Sequence, residues 1–291
     1  MTAALPESAL VRPAWAAPAN VGALMSTRSG GVSTGALASL NLGRAVGDTP
    51  EAVSENRRRF AASLRGVDVA AEPPPARPVW LRQVHGVHVL ELDDATPECP
   101  EVAADAAWTQ TPGVACVIGA ADCLPVLLAA RDGRAVAAAH AGWRGLAAGV
   151  IEATVEALTR GAGVAPGELI AWLGPCIGPA RFEVGAEVLH AFGVEPRERD
   201  VSDVSDAPGF RFAPRPDGAP RWLADLRGLA RARLARLGVG AVSASEACTF
   251  DDESTFFSFR RDSTRVPASP SGRMAAAIWL HRAGGGSIAR G

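Results

Sequence analysis

Val114-Ala115-Cys116-Val117-Ile118-Gly119, Pro125-Val126-Leu127-Leu128-Ala129 and Ala135-Val136-Ala137-Ala138-Ala139 are three apolar runs that follow one another closely, and their spacing decides the fold class. Each has strand length and is bounded by Gly, Pro, Asp or Arg, so each reads as a buried strand. The gaps leave room only for tight turns, not for helical crossovers. This favours an α+β fold with antiparallel or mixed β-sheets over a doubly wound α/β fold.

Working outward, runs of the same character occur at Val21–Thr27, Val79–Val84, Val87–Leu92, Leu169–Leu173, Thr255–Phe259 and Met274–Leu280. Helices are better marked. Thr49-Pro50-Glu51 supplies a cap residue, a proline at the first helical position and an acid in the first turn, predicting a helix to about Leu64. A second follows Gly145, where Leu146, Val150, Thr154, Val155 and Leu158 recur at helical spacing. A third is expected over about Glu183–Phe192, and a fourth over Leu223–Leu237, stopped by Gly238. The Pro-rich segments Glu72–Pro75 and Ala207–Pro220 read as surface connections, and Ala283–Gly291 as a disordered tail. No repeat or long linker divides the chain, so one domain over 1–291 is expected.

The 291 residues are 48% apolar, enough for a large core, and a net charge of −2 leaves no global footprint for nucleic acid or an anionic membrane. Met1–Glu7 lacks the basic and apolar regions of a secretory signal, and no uncharged run reaches bilayer length, so a cytoplasmic address is expected. The five cysteines have no CxxC spacing, which points away from disulfides and zinc ribbons. There is no Lys and no Tyr, excluding Schiff-base lysines, a P-loop lysine and tyrosine acids.

Two of the five histidines sit at strand ends beside glycine: His85 in Gln83-Val84-His85-Gly86, and His140 in His140-Ala141-Gly142-Trp143-Arg144-Gly145. Between them lies Cys123, in Ala121-Asp122-Cys123-Leu124-Pro125, at a turn between two buried strands. One further strand pair leads to His140, a path that returns the chain to the same sheet edge. One thiolate and two imidazoles are a three-ligand set for zinc with the fourth position open, the pattern of catalytic sites. Two other readings fit the same residues. A cysteine beside a buried strand is more often a small core hydrophobe, and a lone histidine more often a silent hydrogen-bonded one. Alternatively, Cys123 is a nucleophile with His140 as its base. In Thr27-Arg28-Ser29-Gly30-Gly31-Val32-Ser33, paired glycines admit a ligand and Arg28 offers a fork suited to phosphate, a plain surface turn being the alternative. Asp122, Arg144, Arg260 and Arg261 are further polar residues beside apolar strands or glycine turns.

These motifs, with Ser39-Leu40-Asn41-Leu42-Gly43, Val46-Gly47-Asp48, Asn56-Arg57, Gly174-Pro175-Cys176-Ile177-Gly178-Pro179 and Phe257-Ser258-Phe259-Arg260-Arg261, run in an order that resembles the YfiH-type laccase-domain proteins. That family also goes by the names multicopper polyphenol oxidase and purine nucleoside phosphorylase. The resemblance covers nearly the whole chain. It implies a four-layer α/β/β/α fold, zinc at His85, Cys123 and His140, and phosphorolysis of purine nucleosides with adenosine deamination as a second activity. In that chemistry Arg28 and Arg57, with Asn41 as a hydrogen-bonding partner, become candidates for substrate or phosphate contacts, and Asp122 for a proton carrier. The glutamate motif of cytidine-type zinc deaminases is missing. Phe182 and Phe259 stand where many members carry Tyr. Laccase chemistry needs several coppers and many histidines, so copper at a His/Cys site would account only for oxidase activity in vitro. Other readings are a Cys123/His140 hydrolase of amide bonds, as in cell-wall precursor editing, and a non-catalytic partner of division or wall-synthesis machinery. The expected partners are nucleosides and phosphate, with no nucleic acid or membrane, for a monomer.

Overall fold

The computed structural model describes residues 3–65, 74–196 and 209–282. Two sheets dominate. The first orders β1 (Leu10–Val11), β2 (Val21–Ser26), β14 (Met274–Leu280), β6 (Val114–Ala120) and β3 (Arg77–Trp80). The second orders β13 (Ala241–Ala244), β9 (Leu169–Leu173), β7 (Leu124–Ala130), β8 (Val136–Ala141), β5 (Ala106–Thr109) and β4 (Val89–Glu91). Both mix parallel and antiparallel pairs, β3 running parallel to β6 and β13 parallel to β9. A small antiparallel sheet joins β10 (Glu183–Val184), β12 (Trp222–Ala224) and β11 (Phe210–Phe212). The helices are α1 (Pro50–Ala62), α2 (Trp143–Ala148), α3 (Val150–Ala162), α4 (Ala186–Ala191), α5 (Leu226–Arg236) and α6 (Phe259–Ser263).

Side-chain alternation turns these sheets into four layers. On β6, Cys116 and Ile118 face one way and Ala115 and Val117 the other, as a period of two requires. The first pair packs against Leu127, Ala129, Val136 and Ala138 of the second sheet, while the second pair shares a cluster with Phe60 of α1. On β7, Val126 and Leu128 point away from the first sheet, toward Ile151, Val155 and Leu158 of α3. The layers are therefore α1, first sheet, second sheet, and α2–α5, an α/β/β/α order. Each fully buried Leu, Ile or Phe in these seams stabilises the stack by roughly 1.5–3 kcal/mol.

Local signals acted as expected at several ends. Thr49 caps α1, its side chain accepting from Ala52 N, and Gly238, at φ 88°, follows α5. The helix after Gly145 starts earlier and is broken at Gly149, whose φ of 102° ends α2 and opens α3. Other expectations are corrected. Thr255–Phe259 is not a strand: Ser258 caps α6, with its side chain accepting from Arg261 N. The helix expected from Glu183 begins at Ala186, because Glu183–Val184 pairs with β12. The connection Ala207–Pro220 contributes β11, and its residues 207–208, like residues 72–73 of the other Pro-rich segment and the tail 283–291, lie outside the described residues. No helix among the described residues is long and apolar enough to cross a membrane.

The three runs that open the sequence argument do not share one sheet. β6 lies in the first, β7 and β8 in the second, so the turn carrying Asp122 and Cys123 crosses between sheets. The hairpin register then sets Leu124 opposite Ala141 and Pro125 opposite His140, which brings Cys123 and His140 to one end.

Candidate metal centre and cavity

His85, Cys123 and His140 converge: their ligand atoms all lie within 4.8 Å of one another. The two imidazole centroids are 4.8 Å apart in an edge-on arrangement, and Cys123 Sγ is 3.9 Å from His85 Nε2. Each donor is held by backbone geometry. His85 occupies the left-handed region at φ 61°, an uncommon conformation for a residue with a side chain. Asp122, at φ 85°, turns the chain so that Cys123 leads into β7. Gly142 leaves the room the donors need, since a Cβ there would sit 2.8 Å from His85 Cδ2 and 3.0 Å from Cys123 Sγ.

Sequence reasoning missed the residue that organises this group. Asp105, fully buried immediately before β5, accepts from the backbone N–H groups of Val84 (3.0 Å), His85 (2.9 Å) and Gly86 (2.7 Å). The same carboxylate lies 2.8 Å from His140 Nδ1. One anion thus fixes the His85 loop and selects the His140 tautomer that turns Nε2 away from it, the usual arrangement behind a metal-ligating histidine. A lone acid within Ala103-Ala104-Asp105-Ala106-Ala107 was the available signal. An isolated charge in an apolar strand must be paired to be buried.

Burial alone would raise the Asp105 pKa, but the hydrogen bonds from His140, Val84 and Gly86 win and hold it below the usual carboxylate range. Burial would also raise Cys123, yet the charge of His140 and hydrogen bonds from both histidines bring its thiol down to about 6. His140 moves the other way, to about 9, because the Cys123 thiolate and Asp105 outweigh its burial. Burial without such partners pushes the Cys116 and Cys176 thiols up. The centre therefore favours a thiolate, the form that binds metal or acts as nucleophile. For zinc, bond lengths of about 2.0–2.3 Å imply donor separations of roughly 3.3–3.8 Å, within small side-chain adjustments of those found. Two imidazoles and a thiolate suit zinc or copper.

The donors line a cavity of about 760 Å³ whose wall also includes Trp80, Gln83, Cys99, Phe259 and several arginines. Of Arg28, Asn41, Arg57 and Asp122, the candidates for substrate contact and proton transfer, only Arg57 lines it. Arg28 lies elsewhere, donating to the carbonyls of Ala38 (3.0 Å), Glu253 (3.0 Å) and Ala36 (3.4 Å) and stacking on Phe257. Asn41 is fully buried, with Nδ2 on Gly43 O and Asp48 Oδ2 and Oδ1 accepting from the N–H groups of Gly43 and Arg273. Asp122 also lies outside the lining. Its carboxylate accepts from Thr249 Oγ1 (2.6 Å), Ser258 Oγ (3.0 Å) and Arg260 N (2.7 Å), so it anchors the Cys123 turn to the segment before α6. Arg261 ties the same segment together through the carbonyls of Thr249, Phe250 and Phe256. Arg144 lines the cavity, and of the two phenylalanines only Phe259 does, Phe182 being buried near Arg260.

An α/β/β/α stack with a buried carboxylate behind a His/Cys/His group at a cavity wall defines a protein with a candidate metal centre. The chain belongs to the family described as multi-copper polyphenol oxidoreductase laccase, whose model matches residues 22–281. It is 48% identical over 274 residues to a protein of Pseudomonas aeruginosa named purine nucleoside phosphorylase, covering 94% of this chain and 99% of that one. It is 44% identical over 273 residues to the purine nucleoside phosphorylase YfiH of Escherichia coli, at the same coverage of 94% and 99%. A crystal structure of a Neisseria meningitidis protein shares the fold with a TM-score of 0.76 and 41% identity, covering 94% of this chain and 100% of that one.

Proposed function

We propose that this protein is a metal-dependent purine nucleoside phosphorylase, with His85, Cys123 and His140 holding zinc and adenosine deamination as a second activity. The observation that carries this reading is the convergence of those three donors, backed by Asp105, at the wall of a cavity large enough for a nucleoside. The names of the P. aeruginosa and E. coli relatives support the reaction class.

In phosphorolysis a phosphate oxygen bonds to C1′ of the ribose as the C1′–N9 bond breaks. The electron pair leaves with the purine nitrogen, which takes a proton, giving free base and ribose 1-phosphate. When bound, zinc supplies Lewis acidity at the cavity wall. Asp105 keeps His140 Nδ1 protonated and its Nε2 directed to the cavity, and its three backbone contacts hold His85 in register. Gly142 keeps the space between the donors clear. Arginines in the lining supply fixed positive charge for an incoming dianion. For deamination the cavity lining offers no carboxylate among the described residues to carry a proton, and Asp122 is engaged by Thr249, Ser258 and Arg260 outside it. Copper on the same three donors is one mononuclear site, too few centres for laccase chemistry.

One observation favours a second reading. Cys123, His140 and Asp105 form a thiolate, imidazole and carboxylate series, the order found in cysteine hydrolases. The two are separated by incubating the protein with adenosine or inosine, with and without phosphate and with a chelator, and following bases and nucleosides by chromatography. Phosphate-dependent, chelator-sensitive release of base supports the phosphorylase. Amide hydrolysis that survives chelation and is lost on thiol alkylation would replace it with the hydrolase.

A further inference from the structure

The cavity carries positive charge that its own walls do not neutralise. Its lining includes Arg44, Arg57, Arg82, Arg144 and Arg273 and, among the described residues, no Asp or Glu. Three of the five gather round one loop, Asn41-Leu42-Gly43-Arg44. Arg57 reaches it from α1, donating Nε to Leu42 O at 3.0 Å while its guanidinium stacks 4.0 Å from the centre of the Trp80 ring. Arg273 reaches it from the residue before β14. Its N–H donates to Asn41 Oδ1 at 2.9 Å, and its carbonyl accepts from Leu42 N at 2.9 Å. Its stem passes so close to Gly43 that a Cβ there would meet Arg273 Cγ at 2.7 Å. Arg44 is the loop's own residue and is exposed. Asn41, buried beneath, bonds to both the N–H and the carbonyl of Gly43 and to Asp48, fixing the loop's shape.

Such a cluster is costly without an anion. Burial brings the Arg57 guanidinium down to about 10 and repulsion from Arg44 adds to it, against individually smaller opposing contributions from Cys99 and exposed Glu98. Burial also lowers Arg273, whose NH1 is satisfied by the carbonyls of Ser271 and Gly272. Partly desolvated cations lacking a carboxylate partner are destabilising. Planar guanidinium forks brought to one cavity wall from three segments of the chain suit the oxygens of a tetrahedral oxyanion.

We infer that Arg44, Arg57 and Arg273, assembled on the Asn41–Arg44 loop, form an oxyanion subsite that binds the inorganic phosphate consumed in the reaction proposed above. The inference rests on that reading for the role of the phosphate, but not for its binding. Arg28 takes no part, and Asn41 acts only by shaping the loop.

The test is calorimetric titration of inorganic phosphate into the zinc-loaded full chain, with ionic strength held constant by chloride. Arg44→Gln and Arg273→Gln should each weaken binding about tenfold or more, the loss of one charge-assisted contact. Arg273→Lys should lose less. Arg160→Gln, which removes one exposed charge on α3, should change nothing and so controls for net charge. Should Arg273→Gln fail to fold, exposed Arg44 still carries the test. Unchanged affinity in folded Arg44→Gln and Arg273→Gln overturns the subsite. Phosphate binding that depends on both arginines in a protein that turns over no nucleoside keeps the subsite and removes the phosphorylase. Phosphorolysis with an unchanged phosphate KM in both variants does the reverse.

Discussion

Replacing Asp105 with Asn changes one atom and should disable the whole centre. Oδ1 of the aspartate faces His85 N and His140 Nδ1, and Oδ2 faces the N–H groups of Val84 and Gly86. An amide offers only one oxygen. If that oxygen takes the Oδ2 position, the NH2 group faces His85 N and His140 Nδ1, forcing the imidazole proton to Nε2, where it blocks the metal-binding lone pair. If it takes the Oδ1 position, the part-buried backbone donors of Val84 and Gly86 lose their acceptor. A fully buried unsatisfied group costs about 1–3 kcal/mol, so with both donors part-buried Asp105→Asn should lose roughly 1–3 kcal/mol of stability. Loss of the supporting carboxylate should also weaken metal binding by about 10–100-fold. Urea unfolding of the metal-free chain reads the first, and competition with a chromophoric chelator reads the second. Wild-type values for both in Asp105→Asn would refute the role given to this carboxylate.

Three further outcomes are expected. Gly142→Ala should lower zinc content, measured by elemental analysis, whereas Gly86→Ala, whose added Cβ would meet nothing nearer than 3.5 Å, should lower it much less. Asp122→Ala should lose roughly 2–4 kcal/mol in urea unfolding by stranding buried donors, with turnover per metal-loaded molecule preserved, because its carboxylate lies outside the cavity lining and is taken up by three hydrogen bonds. In the metal-free protein, Cys123 should react with iodoacetamide down to about pH 6. With a folded pKa depressed from 9.0 to about 6, its contribution to stability is present above 9.0 and is lost as pH falls through 6. His140, raised from 6.5 to about 9, contributes fully below 6.5 and loses that contribution as pH rises through 9. The charged pair thus persists between about 6 and 9, and alkylation that fades below pH 8 would contradict it.

The sheet class was legible because β6, β7 and β8 are apolar and separated only by turns. Their distribution over two sheets was not, since a turn between strands reads alike whether it closes a hairpin or crosses a seam. Short strands such as β10, β11 and β13 lack the length from which periodicity is judged. His85, Cys123 and His140 stood out as rare donors beside glycine at strand ends. Asp105 did not, because its importance comes from partners far away in sequence. Arg44 and Arg273 were hidden among many arginines, and only the loop they share distinguishes them. Conversely, Arg28, Asn41 and Asp122 sit in conspicuous motifs but lie outside the cavity lining, each engaged by hydrogen bonds to neighbouring loops.

The most direct measurement is phosphorus NMR of inosine plus inorganic phosphate with the zinc-loaded protein, beside Cys123→Ala whose metal content is determined in parallel. Ribose 1-phosphate should accumulate with the wild type and be absent with the variant, in step with lost zinc. Equal accumulation by folded, zinc-free Cys123→Ala, or none by the fully loaded wild type, would contradict a phosphorylase built on this centre.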